Sequence, residues 1–277
     1  MPEGDTIFRA ARTLHRALAG KIVTRFESVF PALTRVHEDT PITGRTVELV
    51  TARGKHLLIR LSGDLTLRTH MRMNGSWHIY RPGEAWQRSR RDMRIVLATS
   101  DFVAVGFSIP VAEWLRTSAA GRHEELRKLG PDLLADDFDA AEAERRLRER
   151  GDTPIADALL NQRVMAGIGN VYKSEVLFAC RVDPFALVRT LSDEQLSCLI
   201  ATARKFLRAN VSEGLAPMST YLGFRKTTGR SDPTERLWVY GRAGDPCRRC
   251  GTAVKISPQG RDARLTYWCQ ACQAGSG

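Results

Sequence analysis

Two cysteine pairs near the C-terminus constrain this chain more than any other feature. Cys247-Arg-Arg-Cys250 and Cys269-Gln-Ala-Cys272 are separated by 18 residues, a spacing at which two tight knuckles aim four thiolates at one tetrahedral ion. Four sulfur ligands leave no open position for water, so the expected ion is structural: one Zn2+ on which folding of the tail depends. Disulfides are the competing use of the four, and nothing else in the chain indicates the oxidising compartment they need. The other two cysteines, Cys180 and Cys198, lie in apolar helical runs and are expected to be buried core thiols.

Upstream of this tail the texture changes twice. Ile7, Ala11, Leu14 and Leu18 recur at helical offsets after a polar Asp5-Thr6 that can cap the first turn. From Lys21 to Phe107 seven short β-rich runs follow (IVTRFESVF, TVELV, HLLIRL, LTLRTHM, SWHIY, MRIVLAT, DFVAVGF), a pattern that predicts a β-sandwich. One longer insert, RPGEAWQRSRRD at 81–92, reads as a mobile basic loop. Near residue 130 the pattern becomes helical: Asp139 can cap a charged helix over Ala140–Arg150, two helical stretches break at Gly167 and Gly169, and Ser192 with Gln195 forms a capping box for a helix reaching Ala209. The expected fold class is α+β: an N-terminal helix plus β-sandwich at 1–130, a helical domain at 131–240 and the zinc-binding β-hairpin at 241–277.

Charge narrows the choice of partner. The chain carries 42 Lys+Arg against 31 Asp+Glu, a net +11, which favours polyanions. Residues 225–272 alone hold ten basic side chains against four acidic ones. That segment has no amphipathic membrane helix, and no apolar run approaches the roughly 18 residues of a membrane span. The N-terminus lacks the apolar core of a signal peptide. The reading is a soluble, cytosolic, monomeric protein that binds nucleic acid and no membrane.

Three further constellations carry chemistry. Pro2 is small enough for Met1 to be removed, which would expose a secondary amine beside the Glu3 carboxylate. Such an amine, with an ordinary pKa of about 8, is more often an unprotonated nucleophile at neutral pH than a lysine, and its iminium with an aldehyde-like carbon is an electron sink for eliminations. Ala52-Arg53-Gly54-Lys55-His56 is a basic turn between two strands, and Ala166-Gly167-Ile168-Gly169-Asn170 can point backbone N–H groups at an anion where a helix begins.

Taken in order, MPEG at 1–4, RGKHL at 53–57, HMRMNG at 70–75, NQRVMAGIGNVYKSE at 161–175, and VYGRAGDPCRRCG with LTYWCQACQ at the end resemble the formamidopyrimidine-DNA glycosylase and endonuclease VIII family, over almost the whole chain. The resemblance implies a bifunctional DNA glycosylase and AP lyase of base excision repair, which removes oxidised bases through a proline Schiff base and nicks the strand by β,δ-elimination. It makes 131–240 a helix–two-turn–helix DNA-binding domain. Pro2 would be the nucleophile, Glu3 the acid, Lys55 a phosphate-binding catalytic lysine and Arg264 a catalytic phosphate clamp shared with Asn170. His70 and Tyr240 would contact phosphates, and Met73, flanked by Arg72 and Asn74, would fill the gap left by the everted base. The implied partner is double-stranded DNA carrying oxidised bases or abasic sites, with single-stranded or bubble DNA as further forms.

Two departures from the family pattern stand out. Asp5-Thr6 replaces the usual Pro-Glu. Val105-Gly106-Phe107-Ser108-Ile109-Pro110 stands where formamidopyrimidine-type enzymes carry Asp-Pro-Arg-Arg-Phe-Gly. The second, with MPEG rather than MPEL at the start, points to the endonuclease VIII branch and oxidised pyrimidines. The alternatives are an oxidised-purine glycosylase of the same family and a non-catalytic DNA-binding relative, and the latter fits poorly with the presence of Pro2, Glu3 and Lys55.

Overall fold

The computed structural model describes residues 2–211, 225–230 and 232–274. They divide into two compact units, the first running to Arg127 and the second beginning at Lys128.

The first unit opens with α1 (Gly4–Leu18), whose buried face includes the expected stripe of Ile7, Ala11, Leu14 and Leu18. The helix starts earlier than the apolar stripe does. Glu3 is therefore the N-cap residue, and Asp5 is a buried acid of the first turn rather than the cap. Then follow β1 (Arg25–Ser28), α2 (Pro31–Asp39), β2 (Val47–Arg53), β3 (His56–Leu61), β4 (Leu65–His70), β5 (Ser76–Tyr80), β6 (Met93–Ala98), β7 (Val103–Phe107), β8 (Val111–Arg116) and the short α3 (Glu124–Arg127). The seven β-rich runs hold β1 to β7, while α2 and β8 were not expected.

The strands form two four-stranded antiparallel sheets, ordered β1-β6-β7-β5 and β2-β3-β4-β8. Alternation along the strands turns Phe26, Trp77, Ile95, Leu97 and Ala104 of one sheet and Val50, Leu57, Ile59, Leu61 and Leu67 of the other into one core, shared with Ile7, Leu14 and Leu18 of α1. At about 25 cal/mol per Å2 of apolar surface removed from water, such a core is the main favourable term in the sandwich.

The outward face of the first sheet is also covered. β5 and β6 both pair antiparallel with β7 and so run parallel to each other, which obliges 81–92 to carry the chain back along the sheet. Trp86 anchors this crossover, stacked 6.4 Å from Tyr80 and edge-on 5.7 Å from Phe107, over a cluster completed by Val96, Ala98, Val103 and Val105. The basic insert is thus a crossover held to the sheet at Trp86, with most of its other residues exposed.

The second unit contains α4 (Ala140–Arg148), α5 (Ile155–Leu160), α6 (Asn170–Ala179), α7 (Asp193–Ala209) and the hairpin of β9 (Lys255–Gln259) with β10 (Arg264–Trp268). Asp139 caps α4 by accepting from the Glu142 amide at 2.9 Å, and the Ser192–Gln195 capping box opens α7. Between α5 and α6 the chain makes tight turns that Gln162 holds from its side chain. Its Nε2 donates to Leu160 O (2.9 Å) and Ile168 O (3.0 Å), and its Oε1 accepts from Gly167 N (3.1 Å). Gly167 at φ +116° has a backbone open to glycine alone at little cost.

The expectation for Cys180 and Cys198 is corrected here: they form a disulfide between the C-cap of α6 and α7, with Cα atoms 6.1 Å apart. The reason lies in the helical period. The buried stripe of α7 is Leu196, Leu199, Ile200 and Ala203, and Cys198 falls off it onto the exposed face. Among the described residues no helix is long and apolar enough to cross a membrane.

Candidate active site and metal centre

The expected residues fall into five groups, three in the first unit and two in the second. Pro2 is half-buried, and Glu3, immediately before α1, is fully buried at 0% exposure. Burying a carboxylate is expensive unless it is partnered or used, so this position carries a functional or network role rather than a solvating one.

Lys55 lies in the two-residue turn that joins β2 to β3, where Arg53 pairs with His56. Gly54 occupies the first turn position at φ +57°, the left-handed geometry this reversal requires. Across the next ladder His56 pairs with His70, their rings edge-on at 4.8 Å. His70 is held neutral, its pKa lowered to about 4 by burial and next by the Lys55 charge, so the fold brings Lys55 and His70 into one electrostatic neighbourhood. The Arg72 amide donates to His70 Nδ1 at 3.0 Å, which leaves the ring proton of neutral His70 on Nε2 as a donor.

Behind them is a network that the sequence did not reveal. Arg68, buried to 4% exposure, contacts His56 Nδ1 through Nη1 at 3.3 Å and Glu113 through Nε at 2.8 Å, and His123 lies 3.1 Å from the same carboxylate oxygen. His56 is pushed down to about 3, by burial first and then by His70 and Arg68. These groups tie down His56, the residue that directly follows Lys55.

Arg72, Met73 and Asn74 form the exposed tip of the link between β4 and β5. The turn is closed by Gly75 N donating to Met71 O at 2.9 Å, and a Cβ at Gly75 would lie 2.6 Å from that oxygen. Met71 takes the core position at 1% exposure, whereas Met73 is 51% exposed.

In the second unit Asn170 is the first residue of α6, and its Nδ2 donates to Leu265 O at 2.8 Å, one residue beyond Arg264 at the start of β10. Lys173 Nζ, three residues on, donates to Thr266 Oγ1 at 2.8 Å and Leu265 O at 3.3 Å. Arg264 is 40% exposed, with Asp262 3.9 Å from its guanidinium. Tyr240 packs on Tyr267 of β10 with ring centroids 4.9 Å apart. Its amide donates at 2.8 Å to the fully buried Glu175 of α6, which also accepts from Trp238 N (2.8 Å), Val239 N (2.9 Å) and the Thr227 hydroxyl. No local signal in the sequence marks Glu175, whose partners are more than 50 residues away.

Cys247, Cys250, Cys269 and Cys272 bring their sulfurs within 4.8 Å of one another. Cys247 and Cys272 are 3.9 Å apart, and Cys250 and Cys269 3.4 Å. Tetrahedral ligation at the ordinary Zn–S length of about 2.3 Å needs sulfurs about 3.8 Å apart, so the four fit a metal ion. None of them is in a disulfide.

The chain matches two family descriptions, the formamidopyrimidine-DNA glycosylase N-terminal domain over residues 1–108 and the formamidopyrimidine-DNA glycosylase H2TH domain over 129–221. It is 44% identical to a protein of Streptomyces coelicolor named probable endonuclease 8 2, covering 99% of this chain and 95% of that one. It is 40% identical to a DNA-(apurinic or apyrimidinic site) lyase of Mycolicibacterium smegmatis, end to end on both. Its fold superposes with a TM-score of 0.83 on the Lactococcus lactis Fpg solved with abasic-site DNA, at 23% identity over 98% of this chain and 99% of that one. With both domains matched and relatives aligned along the whole length, the chain belongs to the formamidopyrimidine-DNA glycosylase family.

Proposed function

We propose that the protein is a bifunctional DNA glycosylase and AP lyase of the endonuclease VIII branch, acting on oxidised bases, pyrimidines above all, with one structural Zn2+ on its four cysteines. The observation that carries this reading is the fully buried Glu3 directly after Pro2 at the start of α1. With Met1 removed, the Pro2 amine attacks C1′ of the damaged nucleotide; the C1′–N bond to the base breaks and the base leaves with a proton. Glu3 delivers a proton as the sugar ring opens, giving an iminium between Pro2 and C1′. Loss of a C2′ proton then expels the 3′ phosphate, and a second elimination expels the 5′ phosphate.

In this reading Lys55 and the Nε2–H of His70 are the first unit's phosphate donors, and Arg264, Asn170 and Tyr240 are those of the second. Met73 fills the stack when the nucleotide is everted, a step that costs a few kcal/mol and less for a damaged base. Cys247, Cys250, Cys269 and Cys272 would hold the metal, whose part with four thiolate ligands would be structural, on the hairpin that carries Arg264. The relatives' names, endonuclease 8 and abasic-site lyase, support the branch, as does the Val105–Pro110 stretch.

The test is borohydride reduction during reaction on an abasic-site duplex, which should leave a covalent protein–DNA adduct on the N-terminal peptide. Pro2→Gly should slow it. An adduct on Lys55 instead would overturn the assignment. Under single-turnover conditions at fixed salt, thymine glycol or 5-hydroxyuracil should be excised faster than 8-oxoguanine opposite cytosine.

A further inference from the structure

The crossover at 81–92 does more than cover a sheet. Residues 70–95 hold six arginines against two carboxylates. Two of the arginines are laid on rings, Arg81 4.8 Å from the centre of Phe102 and Arg90 4.8 Å from that of Trp86. Arg88 differs from them. It is half-buried, its guanidinium 5.9 Å from the ring centre of Phe107, and Nη1 donates to Ser76 Oγ at 3.0 Å. Ser76 directly follows the closed 71–75 turn that exposes Arg72, Met73 and Asn74. Among the described residues Arg88 has no ion pair, and Ser76 is its hydrogen-bond partner, so most of a five-donor fork remains for a ligand.

Ser76 is prepared from behind. Gln87 N donates to Tyr80 Oη (3.1 Å), Tyr80 Oη lies 3.2 Å from His78 Nδ1, and His78 Nε2 lies 3.0 Å from Ser76 Oγ. In the tautomer that carries the His78 proton on Nε2, Tyr80 Oη donates to His78 Nδ1 and His78 Nε2 donates to Ser76 Oγ, which leaves the Ser76 hydroxyl proton to donate outward. His78 stays neutral, lowered to about 4 by burial and then by Arg88, so the relay does not place a second cation beside the first.

We infer that Arg88 and Ser76 form a phosphate site for the DNA backbone next to the Met73 turn. The guanidinium fork and the serine hydroxyl both donate to one phosphate oxygen pair, a geometry that suits Arg better than Lys. The site rests on the DNA-repair reading above, which determines that the Met73 turn meets a duplex.

The test measures affinity for a duplex with an uncleavable tetrahydrofuran abasic analogue across a salt series, after wild-type borohydride trapping has been scored separately. Neutralising one phosphate contributes about 0.9 to the salt slope, equivalent to about eightfold tighter binding at 0.1 M than at 1 M salt. Arg88→Gln should therefore lower the slope by about 0.9 and weaken binding about eightfold at 0.1 M, equally for all four bases opposite the analogue. Arg88→Lys should keep the slope and lose part of the affinity. Melting of each variant checks that the packing on Phe107 survives. An unchanged slope in a folded Arg88→Gln protein overturns the site, and a loss that depends on the opposite base overturns it by making Arg88 a base contact. Absence of wild-type trapping with the slope change intact would sink the catalytic reading and leave this one standing.

Discussion

Glu175→Gln is the most informative single substitution in the second unit. Oε1 accepts from Val239 N at 2.9 Å and Tyr240 N at 2.8 Å, while Oε2 accepts from Trp238 N at 2.8 Å and from the Thr227 hydroxyl. Burial pushes the Glu175 pKa up, and the four donors pull it back. A protonated carboxyl would need an acceptor for its own proton where four donors converge, so we take the group as ionised. A glutamine must turn its NH2 toward one pair. Facing Val239 and Tyr240 it orphans two amides; facing Trp238 and Thr227 it orphans one, because the threonine hydroxyl can rotate and accept. The cheaper arrangement leaves one buried N–H unsatisfied, at about 1–3 kcal/mol, and turns charge-assisted bonds into neutral ones at about 1 kcal/mol each, partly offset by no longer burying a charge. We expect a net loss of about 2–4 kcal/mol in urea unfolding of the metal-loaded full chain, with an unchanged m-value. A loss below about 0.5 kcal/mol would refute the reasoning, since it would mean that the native carboxyl is already protonated and glutamine merely replaces it.

Three other outcomes follow from the geometry. Cys269→Ser, or chelation of the wild type, should release the single metal ion and weaken DNA binding together, as measured by metal analysis and titration; full metal content in the variant would count against the four-cysteine centre. His56, His70 and His78 are lowered to about 3, 4 and 4, so the unfolded chain takes up protons that the native one refuses. Stability should then fall as pH drops from about 6.5 toward about 4, by up to about 1.4 kcal/mol per pH unit for each histidine, and a melting temperature flat from pH 7 to 5 would show that these rings are not held neutral. The Cys180–Cys198 bridge spans 18 residues, so Cys198→Ser should cost about 3 kcal/mol under non-reducing conditions. Thiol titration of the denatured, metal-stripped wild type should find four of the six cysteines.

Much of the fold was legible because its signals are local. The Ser192–Gln195 box, the Asp139 cap, the α1 stripe and the Cys-x-x-Cys spacing each fit within a few residues, and each is realised. What escaped lacked periodicity. α2 buries only Leu33 of its nine residues, so apart from Pro31 at its first turn nothing marks it. β8 runs Val-Ala-Glu-Trp-Leu-Arg with its residues half-buried up to an exposed end, giving no alternation to read. The exposure of Cys198 is legible in the sequence, since the stripe of Leu196, Leu199 and Ile200 already excludes it from the core face. The Arg68–Glu113–His123 network and the Arg88–Ser76 contact join residues 10 to 55 positions apart by side-chain geometry alone, which no window of sequence contains. The candidate residues themselves were legible mainly through the family resemblance; the tautomer of His70 and the burial of Glu3 needed coordinates.

The contacts between α6 and the tail bear on how such proteins can be recombined. One helix supplies Asn170 to Leu265, Lys173 to Thr266, Ser174 to the Tyr267 amide and Glu175 to the three amides of Trp238, Val239 and Tyr240. The metal hairpin is therefore not a detachable cassette. A chimera that transplants residues 241–277 from a relative would set a foreign strand against Asn170, Lys173 and Ser174 and separate it from the 238–240 segment that Glu175 holds, and should express as metal-loaded but poorly docked protein. A transplant that carries α6 along with the hairpin keeps donor and acceptor partners matched, and marks where a breeding experiment between family members should place its crossovers.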